Sequence, residues 1–207
     1  NTVTVAPGGK IESGTETKFM AKASNYGTIS GGTFETEVTN NGEITGGMFN
    51  GGVTGSGTIS QEREVSNEES FLAALADPTI TTIKLMGEIW VNETETVKEL
   101  TIDRAITLVN SSRAPLHLNL PLTISEDGAL TLDGLEGVVS LNPYKGMVVN
   151  GSLTVGAGCG VLFEGENASL VINEGGTVTT QPARENTTPG ELSLGQDVTL
   201  MVKGALN

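Results

Sequence analysis

The sequence predicts an all-β chain: a right-handed, single-stranded parallel β-helix, a three-sided solenoid, with one short capping α-helix. Three observations predict it. A 15-residue phrase recurs near the N-terminus. Short apolar–x–apolar pairs recur along the rest at a longer, less regular interval, for the most part within the roughly 20–50 residues typical of solenoid repeats. The composition suits thin cores: hydrophobic residues are 37% and aromatic residues 4% of the 207-residue chain, while glycine is frequent at 28 residues. Stacked short repeats need small and β-branched side chains rather than large rings, and the glycines show no collagen-like period of three.

The first repeat lies in "NYGTISGGTFETEVTNNGEITGGMFNGGVTGSGTIS", Asn25 to Ser60. Gly27, Gly42 and Gly57 are evenly spaced, and Ile29, Ile44 and Ile59 keep the same step. So do Phe19, Phe34 and Phe49, and Ala23, Val38 and Val53. One unit cannot bury three apolar side chains, whereas stacked copies can, with equivalent residues in columns. Glycine is expected to supply positive-φ corners between the short strands. Residues 1–62 are therefore read as a Gly-rich repeat segment, a short β-solenoid.

A different texture follows in "EREVSNEESFLAALADPTI". Ser66 and Glu69 have the spacing of a capping box. Phe71, Leu72 and Leu75 line one helical face, and Asp77-Pro78 stops the run. The spacing predicts a helix near 67–76, covering the open end of a β-helix over 63–207.

From Ile83 onward three columns emerge. The first is Ile83/Leu85, Leu100/Ile102, Leu122/Ile124, Met147/Val149, Leu170/Ile172 and Leu192/Leu194. Its steps are unequal, shortest from Leu85 to Ile102 and longest from Ile124 to Val149. The second is Ile89/Val91, Ile106/Leu108, Leu130/Leu132, Leu153/Val155, Val178 and Val198/Leu200. The third is Leu116/Leu118, Val139/Leu141 and Val161/Phe163. Turn phrases such as "SEDGA", "NGS" and "NEGG" separate them. Inward residues of period-two strands would stack into aliphatic ladders. An antiparallel sandwich would explain the alternation but not the coil-length register of all three columns. Coils this irregular fit a right-handed helix better than one built on a strict hexapeptide.

With its "GTISGGTF"-type repeats ahead of "FLAALADPTITTIKLMGEI", the chain resembles the pectin-lyase-like, right-handed parallel β-helix superfamily. Within it, the likeness is to Gly-rich bacterial surface proteins. The resemblance implies an extracellular or bacterial cell-surface setting, in which polysaccharide enzymes and adhesins are both represented. It also implies that an enzyme of this kind would carry carboxylates, with Arg or Lys, on outward positions of neighbouring coils. Acids stacked there lie about 4.8 Å apart and bind Ca²⁺ or share protons.

The outward middle residues of the columns are Lys84, Thr101, Thr123, Val148, Val171 and Ser193; Trp90, Thr107, Thr131, Thr154, Thr177 and Thr199; and His117, Ser140 and Leu162. None is a carboxylate, and Asp-Asp, Gly-His-Gly and Arg-x-Lys patterns do not occur. No catalytic residue, metal ligand or cofactor is assigned; "SEDG" at Ser125–Gly128 resembles a Ca²⁺-loop fragment and is read as a plain turn. The threonines read as an outward strand ladder. His117 reads as a surface histidine without acid partners, and Cys159 as a turn residue rather than a nucleophile. Trp90 and Tyr144 are the candidate carbohydrate-binding residues, because an exposed aromatic ring is a platform for a sugar. For Trp90 packing against the capping helix or the first segment is the preferred reading.

Charge narrows the partners. The formal net charge of −14 repels nucleic-acid phosphates and anionic lipid headgroups, and no apolar run is long enough to span a bilayer. The single cysteine allows no internal disulfide. These features point to a non-enzymatic extracellular or cell-surface module, adhesin-like or a stalk, facing polysaccharide or a host-surface glycan. A carbohydrate-active enzyme with a loop-built site, of polysaccharide lyase or glycoside hydrolase type, and a glycan-binding module are the alternatives. The sequence stops at "MVKGALN" soon after a sixth coil. An uncovered last coil would leave an unpaired edge, so further chain, a covering loop, or end-to-end or edge self-association is expected there.

Overall fold

The computed structural model describes residues 1–14, 16–110, 112–134 and 139–207. Among these residues the chain is β-strand with one helix, α1 (Glu68–Ala76). It divides into two compact units, Asn1–Arg63 with Asp77–Thr81, and Glu64–Ala76 with Thr82–Asn207.

In the first unit the repeat step of the sequence is the strand register. Strands Thr2–Val5, Lys22–Asn25, Val38–Asn40 and Val53–Thr54 pair in parallel in that order, and so do Lys10–Ile11, Thr28–Phe34, Glu43–Phe49 and Thr58–Ile59. Ala23 lies over Val38 and Val38 over Val53. Ile29 lies over Ile44 and Ile44 over Ile59. The phenyl rings stack as well, with centroids 4.6 Å apart for Phe19 and Phe34 and 5.1 Å for Phe34 and Phe49.

The period also builds a polar column. Asn25 and Asn40 are both buried. The Asn25 amide donates to Asn40 Oδ1 (2.8 Å) and to the Glu43 carbonyl (3.0 Å), and Asn40 donates to the Thr58 carbonyl (3.1 Å). Each side-chain oxygen accepts from the amide two residues on, Gly27 N at 3.1 Å and Gly42 N at 3.2 Å. Burying these amides is tolerable because their hydrogen-bonding groups find partners within the stack.

The glycines require a correction. Gly27, Gly42 and Gly57 are not positive-φ corners; left-handed backbone occurs instead at Gly32 and Gly47, among others. The even spacing of Gly27, Gly42 and Gly57 has a different cause. A Cβ at Gly42 would collide with the Gly27 carbonyl, and one at Gly57 with the Gly42 carbonyl. Backbone stacks directly on backbone at this corner, which leaves room only for hydrogen.

In the second unit parallel strands form three sheets, and the chain visits them in strict rotation. Face one carries Ile80–Leu85, Ala105–Asn110, Ala129–Asp133, Ser152–Val155, Thr177–Thr180 and Ala205–Leu206. Face two carries Ile89–Asn92, Leu116–Asn119, Ser140–Pro143, Gly160–Phe163 and Glu191–Leu194. Face three carries Leu100–Ile102, Leu122–Ile124, Met147–Val149, Ser169–Ile172 and Thr199–Val202. Ile102, Ile124, Val149 and Ile172 are register partners on successive rungs. All four are buried, and each such side chain taken from water contributes roughly 1.5–3 kcal/mol.

The middles of the first and second expected columns stand while their ends move, and the third is displaced throughout, with Leu141 opposite Val161 rather than Phe163. Ile83 and Leu85 belong to face one, opposite Leu108 and Asn110. Ile89 and Val91 belong to face two, opposite Leu116 and Leu118. At the other end Leu192 and Leu194 pair with Val161 and Phe163, while Leu200 pairs with Leu170. Leu116 lies opposite Leu141 rather than Val139. The short first step misled because a full circuit of three faces is longer; Leu85 and Ile102 sit on different faces. The threonine ladder is accordingly Thr82, Thr107, Thr131, Thr154 and Thr179, on consecutive rungs of face one. Trp90, Thr177 and Thr199 are not part of it. Among the described residues Leu194, Leu200, Met201 and Leu206 have no further rung above them, and they are 40–45% exposed.

Helix α1 starts one residue later than its sequence signature suggests. Its cap is Asn67, whose Oδ1 accepts from Ser70 N (2.9 Å), while Ser70 Oγ accepts from Asn67 N (3.3 Å). That is a reciprocal box of Asn67 and Ser70 in place of Ser66 and Glu69. Phe71 and Ala74 are buried, and Leu72 and Leu75 half-buried. Phe71 and Leu75 cover inward side chains from all three faces, among them Leu100, Leu108 and Leu116, leaving an apolar void of only about 10 Å³. Asn67→Ala is expected to lower thermal stability by about 1 kcal/mol, measured by denaturant titration followed by circular dichroism.

Candidate functional site

Outward side chains of face two gather the chemistry of the second unit. Residues two apart share a side of a strand, so Glu88, Trp90 and Asn92 point outward while Ile89 and Val91 enter the core. On the next rung His117 and Asn119 lie opposite Trp90 and Asn92. On the third, Asn142 lies opposite His117. Tyr144 follows the end of that strand, held by its backbone amide on the Leu118 carbonyl (3.0 Å). It begins the short turn that leads into Met147–Val149.

Register brings the rings together. Trp90 stacks on His117 with centroids 3.8 Å apart and planes at 13°. Tyr144 lies 5.8 Å from both, its plane at 8° to the indole and 19° to the imidazole. One carboxylate oxygen, Glu88 Oε1, accepts from Trp90 Nε1 (2.9 Å) and meets His117 Nε2 at 3.1 Å. The other ring nitrogen, Nδ1, faces Asn142 Nδ2 (3.3 Å) and the Tyr144 hydroxyl (3.2 Å). A carboxylate only accepts, so Nε2–H donates to Glu88, while Nδ1 is shared between Asn142 and Tyr144. Ser140 Oγ lies 3.3 Å from Asn142 Oδ1 and donates to it.

Both sequence-predicted candidates, Trp90 and Tyr144, thus fall in one cluster. His117 is not a surface residue but 7% exposed, and it has an acid partner in Glu88. Trp90 does not hide its ring: it is 43% exposed, with one face on His117. Glu88, Asn119 and Asn142 were missed, because separations of 29, 27 and 25 residues link them to His117, Asn92 and His117. The available signal was the alternation "EIWVN" and "LHLNL", had both been placed on one face.

Both imidazole nitrogens are hydrogen-bonded and one ring face is covered by indole, so His117 offers no open lone pair to a substrate. Beside the aromatic group, Asn119 donates to Asn92 Oδ1 (2.9 Å). Farther along the same face, Ser140, Gly160, Leu162, Glu191 and Ser193 line an open depression of about 200 Å³.

Cys159 is 2% exposed, and burial pushes its thiol up from the ordinary range. A thiol-reactive reagent is expected to leave it unmodified in the native chain and to label it in guanidinium, followed by mass spectrometry. Among the described residues no three His, Cys, Asp or Glu side chains group as a metal site would need. Among them, too, no helix is long and apolar enough to cross a membrane.

Comparison with known families meets this geometry. Residues 62–155 match the family described as "Putative pectate lyase-like adhesive domain". Over that stretch the chain is similar to that family. The match covers a little under half of the chain and includes α1 and the Glu88, Trp90, His117 and Tyr144 cluster. No curated protein and no solved structure gives a significant match. The matched stretch therefore contains the three segments that present Trp90, His117 and Tyr144, together with helix α1.

Proposed function

We propose that this chain is an adhesive, non-catalytic module of a bacterial cell surface, and that residues 63–207 form a right-handed parallel β-helix. The single observation that carries the adhesive reading is the similarity of residues 62–155 to the adhesive domain family. Parallel strands visited in rotation on three faces support the β-helical reading. A rod of stacked rungs suits the task, since every rung is hydrogen-bonded to its neighbours and the side chains of each face are held at fixed spacing. The acidic surface supports a glycan or polysaccharide partner over nucleic acid.

Beads coated with the 207-residue chain test this. They are expected to adhere to polysaccharide-coated surfaces or to glycan-bearing host cells more strongly than beads carrying an equally acidic control protein. The same surfaces are expected to release no new reducing ends or unsaturated sugars. Adhesion no better than the control, or steady release of cleaved sugar, would overturn the reading.

A further inference from the structure

The geometry points to a more specific assignment: the Trp90 platform binds an uncharged pyranose ring of a glycan. This rests on the adhesive reading and deepens it by naming a site and a ligand class. Strand Ile89–Asn92 is the first strand of face two. One face of the Trp90 ring is therefore seated on His117, and no rung of that sheet covers the other. The indole is 43% exposed although its nitrogen is already bound to Glu88. A ring fixed on one face and at its N–H loses little freedom when a ligand arrives, and such preorganisation favours binding.

The surroundings match a sugar. A pyranose has a flat patch of C–H groups and a rim of hydroxyls that both donate and accept. The indole supplies a flat apolar surface. At its border the Asn119–Asn92 pair uses one donor and one acceptor, which leaves Asn92 Nδ2 to donate and Asn119 Oδ1 to accept. The Glu88 side chain is 54% exposed and presents a carboxylate to the rim. Charge then selects the sugar. The hydrogen-bonded partners in the cluster are two carboxylates, Glu88 and Glu68 (which accepts from Asn92 N at 2.7 Å), amides and a hydroxyl, without lysine or arginine. A uronic acid would meet like charge here, whereas a neutral hexose or N-acetylhexosamine would not.

Trp90 is the chain's single tryptophan, so its emission reports on this site alone. Cellohexaose, mannohexaose and chitohexaose serve as neutral probes, with hexagalacturonate as the acidic one. At least one neutral hexasaccharide is expected to change the emission saturably. Calorimetry should then show at least about tenfold weaker binding for Trp90→Ala and partial retention for Trp90→Phe. Trp90→Ala is expected to keep the far-ultraviolet circular dichroism of the parent and a cooperative melt, lowered by the lost His117 stack and Glu88 hydrogen bond but well above the assay temperature, which separates lost binding from lost fold. No response to any neutral probe, undiminished binding by Trp90→Ala, or preference for hexagalacturonate would overturn the site. Bead adhesion separates this from the adhesive reading. If the parent adheres and Trp90→Ala adheres equally, the site falls while adhesion stands; if neutral sugar binds but parent beads do not adhere, the adhesive reading falls alone.

Discussion

Phe34→Ala is expected to cost about 3–5 kcal/mol of stability. Phe34 is fully buried between Phe19 and Phe49, with near-parallel rings on both sides. Truncation removes the ring's own burial and both stacking partners at once, and each aromatic pair adds about 0.5–1.5 kcal/mol beyond area. The neighbouring rungs cannot close the gap, because hydrogen-bonded strands hold them at fixed spacing. Residue-resolved hydrogen exchange should show the amides of Ile29 and Ile44 losing protection. Phe34→Leu, which keeps most of the volume, should lose markedly less.

The second large effect is expected at a glycine that no side-chain argument would single out. A Cβ at Gly151 would collide with the carbonyl oxygens of both Gly128 and Ser125. Gly128 and Gly176 meet the carbonyls of Ile102 and Val149 in the same way, so the corner between faces three and one is a stack of backbone on backbone. Nothing there is the tip of a flexible side chain, and relief requires the rungs to separate. Gly151→Ala should therefore fall at or beyond the upper end of the roughly 1–3 kcal/mol typical of overpacking, while Gly175→Ser, where the added atom meets open space at positive φ, should cost about 1 kcal/mol. Chemical denaturation of the two variants side by side reads the difference.

Much of the architecture was legible because equivalent residues recur. Ile29, Ile44 and Ile59 carry one chemical type at one step, and Leu130 and Leu153 announce their rung in the same way. What was illegible follows from the same logic. The first and last rungs contain unequal connections, so Leu85 and Leu192 could be placed only by knowing which face each strand joined. Asn25 and Asn40 did carry a signal, being one repeat apart in the sequence, but polar residues in a polar-looking segment do not announce burial. The cluster at Trp90 was half legible. Its two exposed-ring candidates, Trp90 and Tyr144, are the kind of residue that binds sugars. Its geometry depended on placing Trp90 opposite His117, and assigning the tryptophan to the threonine column hid that stack. Glu88, which ties indole to imidazole, becomes a partner only once the register is known.

The central claim is that inward side chains from three faces share one slender, rung-by-rung core in residues 63–207. Methyl–methyl nuclear Overhauser contacts in the selectively labelled chain test it most directly. The account predicts contacts for Ile102 with Ile124, Ile124 with Val149 and Val149 with Ile172, none for Ile102 with Ile172, and cross-face contacts among Leu118, Leu122 and Leu130. Missing contacts between these successive partners, or strong ones between Ile102 and Ile172, would contradict it.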